Sequence, residues 1–242
     1  MMRSLVFAKR NVKELIRDPL NIVFIIFPVA FLLIFDLIRK NAPENVFQLE
    51  SLTPGIAVLS LSFISLFSAV LISKDRTSLL FMRLFASPMT SKDFIIGYML
   101  PLLPAALTQI MIVYILAIFL GLPLSINILL SIIVLIPTLF IFIAIGLIAG
   151  SLFNEKQVSG LCGGVLTNVS AWFSGAWIDV ELVGGTFAVI ANVLPFIHSV
   201  NIAREAINGT FSVLSPSFLI NVLYAVLLVI LSIVTFKGKM KE

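Results

Sequence analysis

Long apolar segments separated by short polar connections constrain this chain more than any other feature. A helix needs about 20 apolar residues to cross the roughly 30 Å hydrocarbon core of a bilayer. Only 12% of the 242 residues are charged, against about 25% in soluble domains. The sequence therefore predicts an all-α integral membrane protein with six transmembrane helices. The six segments that are long enough lie at 20–38, 53–73, 94–120, 126–150, 157–178 and 217–236.

The positions of the basic residues favour six spans over seven. Lysine and arginine collect in the cytoplasmic loops of membrane proteins. With a cytoplasmic N-terminus, six spans place thirteen of the sixteen basic residues on that side: five before residue 20, four between 74 and 92, one at 156 and three in the tail. A seventh span, over the glycine- and proline-interrupted segment 182–200, would move the tail outside. We therefore predict cytoplasmic termini and a re-entrant or interfacial element at the outer face, within 179–215.

The N-terminal residues 1–18 combine positive charge with apolar side chains. In a helix, Leu5, Val6, Val12, Leu15 and Ile16 would lie on one side of a basic surface. Such a helix typically lies in the membrane interface, so we predict an amphipathic interfacial helix on the inner leaflet before the first span. The alternative is an ordinary positively charged flank of that span. The whole chain, 1–242, is predicted to form a single transmembrane domain.

Few residues in the sequence are suited to catalysis or cofactor binding. A nucleotide-binding loop of the form GxxxxGK[ST] is absent from the sequence. His198 is the only histidine and Cys162 the only cysteine, so we expect no catalytic residue and no metal site. His198 is predicted to be a hydrogen-bonded structural residue. Ion-coupled carriers place ionisable groups deep in the membrane, whereas Asp36 and Asp179 lie toward the outer ends of their segments, which makes such a carrier the weaker alternative.

Glycines and neutral polar residues within the spans suggest helix contacts or a pathway. The pairs Gly146–Gly150 and Gly160–Gly164 match GxxxG, which brings helix backbones together either inside one subunit or across a dimer. Trp172 and Trp177 lie where an interfacial aromatic belt is expected, so we interpret them first as membrane anchors. The residues that could line a pathway, or instead bond neighbouring helices, include Thr108, Gln109, Asn168 and Trp172.

The predicted cytoplasmic connection is 74–93, and LLFMRLFASPMTSKDF (79–94) overlaps it. Its first nine residues are nearly all apolar, too few to cross the membrane and too apolar to lie bare in water. The Ser-Pro pair at 87–88 disfavours further helix, and Thr90 followed by Asp93 is typical of a capping box that begins the third span. The sequence thus predicts a short helix over 78–87 that is apolar nearly all round. Such a helix is normally buried, so we expect a partner protein to cover it. The alternative is a helix lying flat in the lipid headgroups.

Three stretches, in this order, resemble the ABC-2 type exporter permeases. ELIRDPL (14–20) is similar to the family's amphipathic N-terminal helix, KDRTSLLFMRLFASPMTSKDFIIGYMLP (74–101) to its cytoplasmic loop, and NVLPFIHSVNIAREAINGTF (192–211) to its outer-face element. In that family a helix of the loop docks into a nucleotide-binding subunit. By this resemblance the coupling helix contains Leu80, Arg83, Leu84, Phe85, Ser87 and Pro88. The outer-face element would include Asn192, Pro195, His198 and Arg204.

The resemblance implies a permease subunit that forms a translocation pathway and does not hydrolyse ATP. A second permease copy or a sister chain would complete the pathway, and two cytoplasmic ATPase subunits carrying ATP and Mg would drive it by alternating access. The apolar spans favour a lipophilic drug or antibiotic as substrate, exported across a bacterial cell membrane. The alternatives are export of a polysaccharide or lipid-linked glycan, an ion-coupled secondary transporter and, last, a channel or scaffold protein. We expect no nucleic acid partner and no cofactor on this chain.

Overall fold

A computed structural model describes residues 2–17, 20–41, 48–77, 90–178 and 180–239. Every regular element within these ranges is helical, as predicted for an all-α protein. The helices, in chain order, are α1 (Met2–Arg17), α2 (Leu20–Asn41), α3 (Leu49–Thr77), α4 (Ser91–Phe119), α5 (Ile126–Val134), α6 (Ile136–Leu152), α7 (Glu155–Val158), a π-helix (Ser159–Leu166), α8 (Thr167–Phe173), α9 (Val180–Val183), α10 (Gly185–Val193), α11 (Pro195–Ile207) and α12 (Pro216–Lys239).

Within the described ranges, four helical stretches are long and apolar enough to cross a membrane. They correspond to the second, third, fourth and sixth predicted spans. Helices α10 and α11 pass the same test only as a bent pair, which would make a fifth. The described residues thus contain four or five candidate spans, and the count of six stays a prediction. The four stretches are Leu49–Arg76, Ser91–Phe119, Ile126–Leu152 and Pro216–Gly238.

Helix α3 lies at the centre of the bundle. In its most apolar 18-residue stretch 94% of the residues are buried, against 17% for α12 at the periphery. Helices α2, α4, α6 and α11 all pack on it. Buried serines are tolerated in α3 where the hydroxyl bonds to a carbonyl group of the preceding turn, as Ser60 does to Ala57. We call the end of α3 that contains Asp75 the α1 end, and the end that begins at Leu49 the far end.

The two GxxxG pairs have different surroundings. A Cβ atom at Gly146 would lie 1.8 Å from the Ser68 hydroxyl oxygen, and one at Gly150 would lie 2.4 Å from the Ala69 carbonyl oxygen. These glycines therefore let α6 touch α3, so the first pair forms contacts inside one subunit. In the described part of the chain, no heavy atom of another element lies within 4 Å of a Cβ built at either glycine of Gly160–Gly164.

The fifth predicted span, 157–178, is not a single α-helix. It is divided among α7, the π-helix and α8, and α8 ends at Phe173, so the predicted end is wrong. The π-helix has the sequence SGLCGGVL, whose glycines disfavour a regular α-helix. Beyond Phe173 the chain turns at Gly175, whose φ of +69° is a conformation that glycine adopts without strain.

Within the predicted outer-face element, 179–215, helices α10 and α11 meet at 81°. Helix α10 is mostly exposed, whereas α11 is mostly buried against α3, α5 and α12. The bend lies at Leu194, whose backbone is extended because Pro195 disfavours a helical conformation in the residue before it. Such a bend fits either a broken span or a re-entrant loop, so the re-entrant position stays a prediction.

Helix α1 has one buried side and two exposed stripes. Leu15 packs against the core, so the prediction that it lies on the same side as Leu5, Val12 and Ile16 is wrong. The other residues divide by their angular position around the helix. The buried side contains Ser4, Phe7, Ala8 and Asn11; the apolar stripe contains Leu5, Val12 and Ile16; and the basic stripe contains Lys9, Lys13 and Arg17, with Val6 among them.

Candidate functional site

The predicted helix over 78–87 lies outside the described residues. The same is true of all six residues of the predicted coupling helix: Leu80, Arg83, Leu84, Phe85, Ser87 and Pro88. The structure describes the flanks, where α3 ends at Thr77 and α4 begins after Thr90. The Thr90 hydroxyl oxygen accepts a bond from the Asp93 amide (3.3 Å), and the Asp93 carboxylate accepts one from the Thr90 amide (3.0 Å). The predicted capping box is therefore confirmed.

A partly buried ionic cluster lies beside both flanks. The Arg10 guanidinium of α1 donates two parallel bonds to Asp75 of α3, at 2.6 and 2.7 Å, and the Tyr98 hydroxyl of α4 donates a third at 2.8 Å. Asp75 is only 4% exposed, and Arg10 also contacts Glu14 one turn along α1. A bidentate arginine–carboxylate pair is among the stronger hydrogen-bonded contacts in proteins. We call Arg10, Asn11, Glu14, Asp75 and Tyr98 the Arg10 cluster.

Close packing of α1 on α4 brings the Arg10 cluster together. A Cβ atom at Gly97 would lie 2.5 Å from the Phe7 ring. That ring packs edge-on against Phe94 and Tyr98, with centroids 5.5 and 4.9 Å away. The Asn11 side chain donates to the Gly97 carbonyl oxygen at 3.1 Å. The close approach of the two helices therefore depends on the missing side chain at position 97.

The two carboxylates of the cluster differ although both contact Arg10. The Glu14 side chain is 43% exposed and lies on the same helix as Arg10. Its partial burial raises the pKa of Glu14 above the ordinary value, and the attraction of Arg10 opposes that rise. Asp75 is buried, lies on another helix and accepts three bonds. The bond from Arg10 to Asp75 therefore joins two helices, whereas its bond to Glu14 stays within α1.

A second arginine holds the far end of α3. Arg204 of α11 donates to the main-chain carbonyl of Ser51 at 3.1 Å and to that of Gly175 at 2.7 Å. A Cβ atom at Gly55 would lie 2.5 Å from the Cα atom of Ala176, so α3 directly touches the turn after α8. We call Arg204, Ser51, Gly55, Gly175 and Ala176 the Arg204 junction. It joins α11, α3 and that turn.

The other predicted outer-face residues lie at the bend between α10 and α11. The buried His198 ring donates from Nε2 to the Asn192 carbonyl oxygen (2.9 Å), because a carbonyl can only accept, and its Nδ1 atom lies 3.3 Å from the Ser217 hydroxyl oxygen. His198 is therefore hydrogen-bonded, as expected, and its purely structural role stays a prediction. Pro195 is buried, and the Asn192 side chain is exposed. The bend thus brings three of the four predicted residues together, and Arg204 lies further along α11.

Comparison with known proteins relates this architecture to a family of transporters. The family model for ABC-2 type transporters matches residues 4–208, which is most of the chain. The chain belongs to the ABC-2 type transporter family. The match confirms the resemblance seen in the three sequence stretches, and it includes both the Arg10 cluster and the Arg204 junction. No curated protein sequence matches the chain significantly.

One face of this ABC-2 permease, along the π-helix and α8, is open to the surroundings. It presents Leu161, Val165 and Trp172, which are 39%, 57% and 51% exposed, together with the exposed Asn168. These residues recur at helical spacing and form one stripe, which we call the open face. The Asn168 amide donates to the Gly164 carbonyl oxygen one turn back, at 2.9 Å. Two of the four predicted pathway residues therefore share an exposed surface.

The other two predicted pathway residues lie on α4. Thr108 is exposed, and its hydroxyl donates to the Pro104 carbonyl oxygen of its own helix at 2.8 Å. Gln109 is buried, and its amide donates to the Ser60 carbonyl oxygen of α3 at 3.1 Å. Gln109 therefore bonds neighbouring helices, which was the alternative role for these residues. The Trp177 ring stacks on the Phe35 ring of α2, with centroids 5.3 Å apart.

Sequence reasoning missed the Arg10 cluster. Two signals were present: Arg10 and Glu14 have the i, i+4 spacing of a helical ion pair, and Asp75 is the first acid after a long apolar run. Neither signal reveals that Arg10 pairs with a residue 65 positions away. That pairing depends on how α1 folds back onto α3 and α4, which is a property of the tertiary structure.

Proposed function

We propose that this ABC-2 permease is the membrane subunit of an ATP-driven exporter. Two permease copies, identical or sister chains, form the pathway, and two separate ATPase subunits bind ATP and Mg and drive it. The chain itself holds no cofactor in this proposal. The distribution of the sixteen basic residues supports a cytoplasmic α1 end, with both termini in the cytoplasm and the far end outside.

The observation that carries this proposal is the position of the Arg10 cluster. It holds α1 to the last turn of α3 and to the first turns of α4, which are the two flanks of segment 78–89. A docking segment transmits movement into a membrane domain through the contacts that hold its flanks. The bidentate bond between Arg10 and Asp75 is such a contact. In this proposal the ATPase binds the predicted coupling helix of that segment.

The exposed stripes of α1 support its position on the inner leaflet. Leu5, Val12 and Ile16 form an apolar stripe beside a basic one. An apolar stripe enters the boundary between headgroups and acyl chains, and neighbouring lysine and arginine side chains reach anionic headgroups. Helix α1 thus lies between the membrane surface and the flanks of the docking segment. In this position it supports the cytoplasmic opening of the pathway.

The open face supports a lipophilic substrate and a pathway at the contact between two permease copies. Three of its exposed side chains are apolar or aromatic, and Asn168 is the polar exception. A polar residue within a membrane span usually faces protein or a water-filled cavity, because lipid cannot satisfy its hydrogen bonds. The adjacent pair Gly160–Gly164 would let a second helix approach closely. This arrangement suits a drug-like apolar molecule better than a highly charged glycan.

The bent pair α10–α11 supports a role at the outer exit. Helix α11 is fixed to the far end of α3 through Arg204, so movement of α3 is carried to the bend at Leu194. ATP-driven closure of the ATPase subunits would then shift the pathway between inward-open and outward-open states, which is alternating access. ATP, bound to the ATPase subunits, biases the populations of these two states.

Transport by reconstituted protein tests the proposal. The permease is placed in proteoliposomes with a candidate P-loop ATPase partner, and export of the lipophilic dye ethidium is followed by fluorescence. We expect transport that requires ATP, stops with a non-hydrolysable ATP analogue and is insensitive to collapse of proton and sodium gradients. Transport that proceeds without the ATPase and follows an ion gradient would contradict the proposal and favour a secondary transporter.

A further inference from the structure

The Arg10 guanidinium is shared between two carboxylates on different helices. Its bonds to Asp75 cross from α1 to α3, whereas its contact with Glu14 stays within α1. It also donates to the Asn11 side-chain oxygen at 2.8 Å. If α1 moved away from α3, the guanidinium would keep Glu14 and Asn11 as partners. The positive charge would therefore not be left alone when the contact between the helices opens.

The buried acid also keeps a partner when the contact opens. Asp75 accepts a bond from the Tyr98 hydroxyl at 2.8 Å, and Tyr98 belongs to α4, which packs directly on α3. Breaking a buried ion pair is normally costly because each half is left uncompensated. Here each half retains a hydrogen-bonding group on its own side. The contact is therefore built to open and close again, unlike an isolated buried pair.

Further contacts join α1 to α4 beside the arginine. The Phe7 ring meets the Phe94 and Tyr98 rings edge-on, and the buried Asn11 side chain donates a hydrogen bond to the Gly97 carbonyl oxygen. By contrast, Arg76, next to Asp75, donates to the Gly150 carbonyl oxygen of α6 at 3.0 Å. The α1 end of α3 is thus held to α6 on one side and to α1 by the shared arginine on the other.

We infer that Arg10, Asp75 and Tyr98 are positioning residues that form a releasable latch between α1 and the α3–α4 pair. The latch closes when ATP is absent and opens when the ATPase subunits move segment 78–89, and Glu14 stabilises the open state by holding Arg10. This inference rests on the proposed ATP-driven function. It assigns the two acids opposite roles, because Asp75 favours the closed state and Glu14 the open one.

Distances between spin labels on α1 and α4 test the latch in the complete complex with its ATPase. The labels are attached to Lys13→Cys and Lys92→Cys, both exposed positions, in a chain with Cys162→Ser. We expect a short distance without ATP and a longer one with trapped ATP. Asp75→Asn should reduce the closed population without ATP about tenfold. Glu14→Gln should instead favour the closed state, and reduce the open population with ATP severalfold.

Two controls separate a latch from a merely structural contact. Glu155→Gln removes a carboxylate near the same end of α3, paired with Lys74 at 3.9 Å, and should leave both populations unchanged. The exchange Arg10→Asp with Asp75→Arg should restore a closed state that Arg10→Asp alone loses. A distance that does not respond to ATP while the ATPase is bound and active would overturn the latch and leave the exporter standing. Failure of any ATPase to bind the wild-type permease would overturn both.

Discussion

Arg10 and Arg204 each hold one end of α3, Arg10 through carboxylate side chains and Arg204 through contacts that include main-chain carbonyl groups. Arg10 bonds to ionised side chains, and one of these, Glu14, can replace the other when helices separate. Arg204 donates to two main-chain carbonyls, which are fixed in place by the backbone. The comparison indicates that the α1 end is built to change its contacts and that the far end is built to keep them.

The largest expected effect is that of Arg10→Ala. This change leaves the buried Asp75 charge without its countercharge, which should lower the free energy of unfolding by about 3 kcal/mol. Thermal unfolding in detergent measures the loss. The double variant Arg10→Ala with Asp75→Asn should recover part of it, because the buried charge is removed as well. If the double variant is no more stable than Arg10→Ala, the unpaired Asp75 charge is not the cause of the loss of stability.

A valine at Gly55 should destabilise the protein more than a valine at Gly97. A Cβ atom at Gly55 meets Ala176 backbone atoms at 2.5 and 2.7 Å, whereas the nearest atom to one at Gly97 belongs to the Phe7 side chain (2.5 Å) and the nearest backbone atom is the Ser4 carbonyl oxygen (3.2 Å). Overpacking typically costs about 1–3 kcal/mol, and we expect Gly55→Val near the top of that range and Gly97→Val near the bottom. Gly238→Val is the control, since nothing lies within 4 Å of its Cβ in the described structure. Equal losses at both sites would remove the distinction between a rigid and a mobile end.

Arg204→Ala should cost about 2 kcal/mol, less than Arg10→Ala. The carbonyl groups of Ser51 and Gly175 would each lose a charge-assisted bond. Unfolding in detergent gives the loss, and Arg204→Lys should retain part of the stability because it can still donate to one carbonyl. A larger loss for Arg204→Ala than for Arg10→Ala would reverse the ranking of the two ends.

The smallest expected effect concerns Glu14 and pH. Because the pKa of Glu14 is raised in the folded protein, the folded state binds its proton more tightly than the unfolded state. Its contribution to stability is therefore present below the unfolded pKa and is lost as pH rises through the folded pKa. The slopes of the free energy of unfolding against pH should differ between wild type and Glu14→Gln only in that acidic window. Above the window the two curves should run parallel. A divergence at neutral pH that grows with rising pH would contradict this sign.

Periodicity and composition were sufficient to predict an all-helical protein and four of its long apolar spans, because membrane spans are specified by local apolar length. Thr90 and Asp93 could be predicted as a cap for the same reason, since a capping box is a contact between near neighbours. The end of the fifth segment was misplaced because the turn at Gly175 is held by Arg204, 29 residues away. The bond between Arg10 and Asp75 and the packing of Gly55 on Ala176 likewise join distant parts of the chain. Such contacts depend on tertiary structure, which one sequence does not reveal.

The central claim is that an ATPase binds this permease through segment 78–89. Co-purification of the permease with its P-loop ATPase, with ATP hydrolysis measured on the complex, tests it most directly in wild type and in Arg83→Glu and Phe85→Asp. Phe119→Asp is the matched control, since Phe119 is an exposed aromatic residue near the opposite end of α4. The account predicts a stable wild-type complex, an unaffected control, and loss of binding or coupling in both segment variants. A wild-type chain that binds no ATPase, or segment variants that behave like wild type, would contradict it.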